Sequence, residues 1–288
     1  VNARRRPVVF HKMHSLGNDF MVIDAVSQSV DLQPQAIASW GDRHRGIGFD
    51  QLLIIEAPTK SEADFSYRIY NADGSHAEQC GNGTRCVAML VQKLGLSVKP
   101  KLVWQSAAGL FETDFGSPEH IETIMTVPVL NLADIPFAAE HGEATDHPAV
   151  FTLHADEQSF NVTPVSMGNP HAVLFCDDIF NLNIDEIGSL LTRHPAFPEG
   201  ANVGFCQVVD RQFMRLRVFE RGVGETQACG SGACGAVVAA RLLDKVDERV
   251  KVSLPGGKLR IKWPDTNSPV TMAGEASYVY RGELPLDQ

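Results

Sequence analysis

The sequence is short of positive charge: 25 lysines and arginines stand against 35 aspartates and glutamates, a formal net charge of −10. A nucleic-acid or membrane-surface binder carries a basic face, so neither partner is expected, although an anionic small molecule is not excluded. Long apolar runs are also missing. None approaches the roughly 20 residues that cross a bilayer. The opening stretch Val1-Asn-Ala-Arg-Arg-Arg-Pro-Val-Val-Phe10 holds an apolar run too short for a signal-peptide core. Cysteine is sparse, six residues in 288. Without an export signal these read as reduced thiols, not a disulfide framework, and the cytoplasm is the expected compartment. No nucleotide motif, metal-ligand spacing or pyridoxal lysine context stands out, so no cofactor is expected.

What is present is a globular composition, 44% hydrophobic and 21% charged, in a chain long enough for one large domain or two ordinary ones. It also repeats itself. Glu78-Gln-Cys-Gly-Asn-Gly-Thr-Arg-Cys86 is echoed by Gln227-Ala-Cys-Gly-Ser-Gly-Ala-Cys234. Upstream of each, Arg68-Ile-Tyr-Asn71 lies over Arg217-Val-Phe-Glu220 without a gap. Leu16-Gly-Asn18 matches Met167-Gly-Asn169, and a third block, Gly48-Phe-Asp-Gln51, matches Gly204-Phe-Cys-Gln207. Similarity with a period of about half the chain means two related domains.

Each half reads as α/β. Alternating or β-branched runs recur, among them Gln51–Glu56, Phe65–Tyr70, Phe160–Ser166 and Met214–Phe219. Helices are expected over Pro34–His44, over Ile184–Arg193 and directly after Cys80 and Cys229. The run Ala233-Cys-Gly-Ala-Val-Val-Ala-Ala240 has no polar face, and a helix apolar all round must be buried all round. The expected fold is two pseudo-symmetric, strand-rich domains, each wrapped around a central helix: residues 1–128 and 129–275, with a last strand within 276–288 returning to the first.

A cysteine at the start of a buried helix meets unpaired backbone N–H groups and the positive end of the macrodipole. Both favour thiolate, and the same N–H groups suit a carboxylate. Glycines 81, 83, 230 and 232 are expected to let a ligand reach the backbone. Two such corners related by a pseudo-two-fold axis give one carboxylate clamp with a thiol on each side. That arrangement suits inversion at a carbon atom: one thiolate removes the proton α to a carboxylate and the opposite thiol returns one to the other face. Taken singly, Cys86, Cys176, Cys206 and Cys234 read as small core residues. The Cys80/Cys86 spacing exceeds that of a zinc pair, Cys229/Cys234 sits at its upper limit, and no histidines cluster beside them. A thiol-redox protein and a non-catalytic amino-acid-binding module remain as alternative readings of the two corners.

Taken together, Asn71-Ala-Asp-Gly-Ser75, Glu78-Gln-Cys-Gly-Asn-Gly83, Gly168-Asn-Pro-His171 and Glu220-Arg-Gly-Val-Gly-Glu-Thr-Gln-Ala-Cys-Gly-Ser-Gly232 resemble the diaminopimelate epimerases, a family of PLP-independent amino-acid epimerases. The likeness runs from about His11 to Ala276. It implies interconversion of LL- and meso-2,6-diaminopimelate on the route to lysine and peptidoglycan, without a cofactor, by a homodimer. Cys80 and Cys229 match the two catalytic cysteines, and His171 and Glu220 match groups that tune their pKa. Gly81, Asn82, Gly230 and Ser231 match the helix-start residues that hold the reacting carboxylate. Asn18, Gln51, Asn71, Asn169, Asn202, Glu220 and Arg221 match substrate contacts. Outside such a context the asparagines would cap turns, Arg221 would be a solvated surface group and His171 a structural histidine. Gln51 and Gln207 would both be structural. Ser15 departs from the glycine the family commonly has there. A proline, hydroxyproline or histidine racemase of the same fold is the nearest rival.

Overall fold

The computed structural model describes residues 7–30, 32–77, 80–107 and 109–284, so Glu78, Gln79 and the end of the last expected strand lie outside the described residues. It divides into two compact units, 1–123 with 274–288, and 124–273. The first carries β1 (Val8–Ser15), β2 (Asn18–Asp24), α1 (Pro34–Gly41), β3 (Gln51–Glu56), β4 (Phe65–Asn71), β5 (His76–Ala77), α2 (Gly81–Leu94), β6 (Lys101–Ser106), β7 (Gly109–Ser117) and β8 (His120–Ile124). The second carries β9 (Glu143–Ala144), β10 (Phe151–Ala155), β11 (Gln158–Ser166), β12 (Pro170–Phe175), α3 (Ile184–Thr192), β13 (Asn202–Asp210), β14 (Phe213–Glu220), β15 (Gly224–Thr226), α4 (Gly230–Leu242), β16 (Arg249–Leu254), β17 (Gly257–Lys262) and β18 (Thr271–Gly274). The last strand, β19 (Ser277–Leu284), pairs antiparallel with β1 of the first unit.

The two units follow one plan. In the first, β1–β2 is antiparallel, β2–β3 parallel, β3–β4 antiparallel, β4–β6 parallel and β6–β7 antiparallel. In the second, β11–β12, β12–β13, β13–β14, β14–β16 and β16–β17 repeat that order of senses. Parallel neighbours need a crossover, and the four helices fill these crossovers: α1 and α3 between the first parallel pairs, α2 and α4 between the second.

Strand register makes the equivalences explicit and overturns one expected match. Phe20 pairs with Gln51 as His171 pairs with Asn202, and Leu52 faces Tyr70 as Val203 faces Phe219. Gln51 therefore corresponds to Asn202, Asn71 to Glu220 and Asp50 to Ala201. The proposed match of Gly48–Gln51 to Gly204–Gln207 fails: Gly48 precedes β3, while Gly204–Gln207 lies inside β13. Glycine, phenylalanine and glutamine recur in both stretches, but their places on the strands differ.

Both faces of the first unit's sheet are covered. Phe20, Val22, Leu53 and Ile55 pack with Cys86, Val87, Leu90 and Val91 of α2. The alternate residues Met21, Ile23, Leu52 and Ile54 pack with Ile37 and Trp40 of α1. That alternation follows from the two-residue strand period. Helix α2 shares this core with Ile121 of β8 and with Ala276, which lies between β18 and β19. In the second unit every residue from Gly232 to Ala240 of α4 is buried, as its unbroken apolar composition requires.

Helix α3 lies close against β14 at Gly188, where an added Cβ would stand 2.4 Å from Cγ of Phe219. Gly188→Ala therefore forces the ring or the helix to move, a cost of about 1–3 kcal/mol for overpacking. Denaturant unfolding is expected to show a lowered midpoint at an unchanged m-value. An unchanged midpoint would mean that the helix shifts freely.

Candidate active site

In each unit the expected site residues gather on one rim of the sheet, at the starts of two parallel strands, the end of the antiparallel third and the start of the second helix. The turn into that rim needs glycine: Gly17 and Gly168, each directly before an asparagine, have φ of 82° and 91°, in the left-handed region that side chains rarely adopt. Cys80 is the N-cap of α2 and Cys229 the N-cap of α4, both with extended backbone. Their carbonyls take the first helical hydrogen bonds, from Thr84 and Ala233 at 3.0 Å each.

Around Cys80 the sulfur accepts the Gly83 N–H at 3.4 Å and contacts Oδ1 of Asn18 at 3.6 Å. The same Oδ1 accepts Nδ2 of Asn82 at 3.3 Å, while Nδ2 of Asn18 donates to Asp50 at 2.9 Å. Arg85, fully buried, donates to Oδ1 of Asn82 and, at 3.1 and 2.9 Å, to the hydroxyl of Ser15, which in turn donates to the Glu275 carbonyl at 2.7 Å. Ser15 is thus a buried bridge beneath the corner. Further along the rim, Nε2 of Gln51 donates to Oδ1 of Asn71 at 3.1 Å. Oε1 of Gln51 is buried without a hydrogen-bond partner among the described residues.

Asp50 belongs to an ionic group outside the corner. Arg43 binds Asp19 through two nitrogens, at 3.0 and 2.7 Å, and Asp50 at 2.6 Å, and Lys12 binds Asp19 at 2.5 Å. Burial alone would raise the Asp19 pKa, but hydrogen bonds from Arg43 and Lys12 override it and hold the carboxyl at about 2.

Around Cys229 the composition differs. Glu220 accepts the Thr226 hydroxyl at 2.5 Å and the thiol of Cys229. The Cys229 sulfur lies 3.6 Å from the Ser231 hydroxyl, which receives Nδ2 of Asn169 at 3.5 Å. Oδ1 of Asn169 is 3.1 Å from Nε2 of His171. Burial pushes the Cys229 thiol well up, the Glu220 charge adds to this, and the Ser231 hydroxyl and nearby Gly232 N–H oppose both. Desolvation of the buried sulfur thus opposes the helix dipole, which is worth about 0.3–1 kcal/mol. Glu220 is also raised, first by burial, with hydrogen bonds from Thr226 and Cys229 pulling against it.

Burial lowers His171 to about 4. It is a neutral imidazole hydrogen-bonded to Asn169, so it brings no positive charge to a thiol. Asn202 accepts the backbone N–H of Arg221 at 2.9 Å. The Arg221 side chain turns outward, donating to the Glu199 carbonyl and lining a cavity of about 670 Å³ with Arg193, Phe219 and Gly224. Glu220 and Arg221 thus serve different places: one meets Cys229, the other does not.

The helix-start glycines are closely packed. A Cβ on Gly83 would stand 3.1 Å from Leu53, and one on Gly232 would stand 3.1 Å from Val218. Both glycines let their helix start sit tight on the sheet. Asp50, Thr226 and Arg85 went unmarked in the sequence. Each touches a site residue, and the one available signal was that Asp50 directly precedes Gln51.

The comparisons with known proteins agree with one another. The profile of the family described as diaminopimelate epimerase matches residues 10–130 and 163–279. The chain is 50% identical to the diaminopimelate epimerase of Stutzerimonas stutzeri (strain A1501) over 277 residues, covering 96% of this chain and 99% of that protein. It is 48% identical to that of Pseudomonas syringae pv. syringae (strain B728a) with the same coverage. Among solved structures it resembles a hydroxyproline epimerase from Agrobacterium vitis with bound trans-4-hydroxy-L-proline, with a TM-score of 0.69 at 15% identity over 99% of this chain and 94% of that one. It also resembles a PhzF-family phenazine biosynthesis protein from Bacillus anthracis, with a TM-score of 0.67 at 15% identity over 97% and 99%. At that identity the structural likeness speaks for the fold alone: strand-rich α/β halves with few helices. No helix among the described residues is long and apolar enough to cross a membrane.

Proposed function

The chain belongs to the diaminopimelate epimerase family and interconverts LL- and meso-2,6-diaminopimelate, and from that premise we propose that Cys80 and Cys229 are its two acid–base groups. A thiolate on one cysteine takes the α proton, the electron pair spreads into the substrate carboxylate, and the thiol of the other gives its proton to the opposite face of the same carbon. The product leaves with its configuration inverted and with the two sulfurs having exchanged protonation states. The observation that carries this reading is the matched placement of the two cysteines. Each is the N-cap of a buried helix at equivalent points of a duplicated fold.

The backbone N–H groups after each cysteine, at Gly81 and Asn82 and at Gly230 and Ser231, have no intrahelical acceptor. They hold the reacting carboxylate and steady the charge that develops on its oxygens. One cysteine rests as the thiolate and the other as the thiol, and each is the base for the stereoisomer that presents its proton to that side. The side chains of Asn18, Gln51, Asn71, Asn169 and Asn202, with Glu220 and Arg221, recognise the rest of the zwitterion. The unpartnered Oε1 of Gln51 suits a substrate ammonium. His171 supports Asn169. The reading places the enzyme in the cytoplasm, where its cysteines stay reduced, and the family resemblance implies a homodimer.

Offered LL-diaminopimelate, proline and histidine in deuterated water, the enzyme is expected to place solvent deuterium at the α carbon of diaminopimelate only, as followed by mass spectrometry. No uptake into diaminopimelate would end the two-base proposal, and uptake into proline would point to the racemase alternative.

A further inference from the structure

The duplication places an asparagine at the same point of each cysteine corner, yet the two amides are set the opposite way round. Asn18 turns its carbonyl oxygen to Cys80 and Asn82, at 3.6 and 3.3 Å. Asn169 turns its NH2 to Ser231, at 3.5 Å, and Ser231 touches Cys229. Each setting has an external cause. The Asp50 carboxylate accepts at 2.9 Å and also takes a hydrogen bond from Arg43, so Asn18 presents its NH2 there. The neutral His171 meets Oδ1 of Asn169 at 3.1 Å; with its proton on Nε2 it donates, so the NH2 of Asn169 faces the other way. Neither cause exists in the other half, where register places Ala201 opposite Asp50 and Phe20 opposite His171.

We propose that Asp50 is a positioning residue for the epimerase reaction, which fixes the Asn18 amide with its oxygen toward Cys80, and that His171 fixes Asn169 in the opposite sense. Two halves of one duplication thereby offer their sulfurs different side-chain partners. Cys80 is given an acceptor. The hydroxyl of Ser231, its oxygen occupied by the Asn169 NH2, is left to donate to Cys229. The Arg43 pair holds Asp50 in place, and Arg43 and Asp50 are 54% and 44% exposed in their side chains. Exposed pairs contribute little to stability, so the group is better suited to fixing an orientation than to holding the fold. This inference rests on the two-cysteine reading above.

A double-mutant cycle tests it. Asp50→Asn keeps size and removes the obligatory acceptor, and is expected to lower kcat/KM roughly tenfold, in the range that misplacement of a reacting group costs. Asn18→Ala is expected to lower it further. Because Asp50 acts through Asn18, adding Asp50→Asn to Asn18→Ala should cost nothing more, and Asp50→Glu, which keeps the carboxylate, should recover most of the lost rate. Losses that simply multiply, or Asp50→Asn at the wild-type rate, would overturn the proposal. Should Asp50→Asn fail to fold, Asp50→Glu compared with Asp50→Gln reads the same contrast. His171→Phe, tested with Asn169→Ala, is expected to be non-additive in the same way. The two-cysteine reading has its own control: a Cys80→Ala variant that still inverts diaminopimelate sinks that reading. An inert Cys80→Ala beside an additive cycle sinks the orienting role alone.

Discussion

Cys80→Ala and Cys229→Ala are each expected to remain folded and to lose interconversion of LL- and meso-diaminopimelate by about 10³-fold or more, since a positioned acid or base contributes roughly 10²–10⁴-fold and inversion needs one of each. Folding should survive. At Cys229 the lost contacts are those with Glu220, the Ser231 hydroxyl and the Gly232 N–H, and alanine fills most of its volume. Losing the Gly83 N–H contact at Cys80 removes a helix cap, which costs about 1 kcal/mol. Circular dichroism and thermal melting of both variants establish this before activity is read. Exchange then separates the two roles. With one sulfur gone the other can still remove and return a proton on its own side. Each variant should therefore exchange solvent deuterium into one stereoisomer without inverting it, and the two variants should choose opposite stereoisomers. If either variant inverts at the wild-type rate, the two-base mechanism is wrong. If both exchange the same isomer, the assignment of one sulfur to each face is wrong.

How much of this was open to reading from the residues alone follows from what each feature depends on. The cysteine corners were legible because an N-cap followed by glycines is a local pattern, and the all-apolar run Ala233–Ala240 could only be a buried helix. The duplication was legible from the same corners, but its detailed correspondence was not. Gln51 was matched to Gln207 by composition, whereas strand register sets it beside Asn202. Register depends on which strands pair, and nothing in a single strand states its partner. Amide orientation lies further out of reach. Asp50 and His171 decide which end of Asn18 and Asn169 faces the cysteine corner, and those contacts join residues 32 and two positions apart. The burial that opposes the helix dipole at Cys229 was not legible, because it depends on the tertiary packing around the helix start. Which of Glu220 and Arg221 faces the cysteine was not legible either, since successive side chains at a strand end point to opposite sides. Glu220 took the place at the sulfur.

Glu220→Gln carries the second large effect, and it separates stability from catalysis. Glu220 accepts hydrogen bonds from Thr226 and from the Cys229 thiol, and burial, the largest cause, nonetheless raises its pKa. A carboxyl raised in the folded state contributes stability that is fully present below its unfolded value, near pH 4.3, and is lost as pH rises through the higher folded value. At pH 7 the ionised group therefore costs stability. Glutamine, neutral and of the same shape, is expected to raise the melting temperature at pH 7, with the advantage disappearing below about pH 4. Activity should move the other way. Cys229 is held up first by burial and second by the Glu220 charge, so removing the charge lowers its pKa without bringing it to the ordinary value. The pH at which iodoacetamide begins to label Cys229 should fall, and the alkaline limb of kcat/KM should shift to lower pH with it. The thiol also loses its carboxylate acceptor, and kcat at pH 7 is expected to drop about 10- to 100-fold, as when a group that orients an acid or base is removed. A Glu220→Gln enzyme with unchanged labelling and rate would show that the carboxylate does nothing for the sulfur. One that melts lower at pH 7 would show that its hydrogen bonds outweigh the cost of burying it, and that the rim of the second unit is built for stability first.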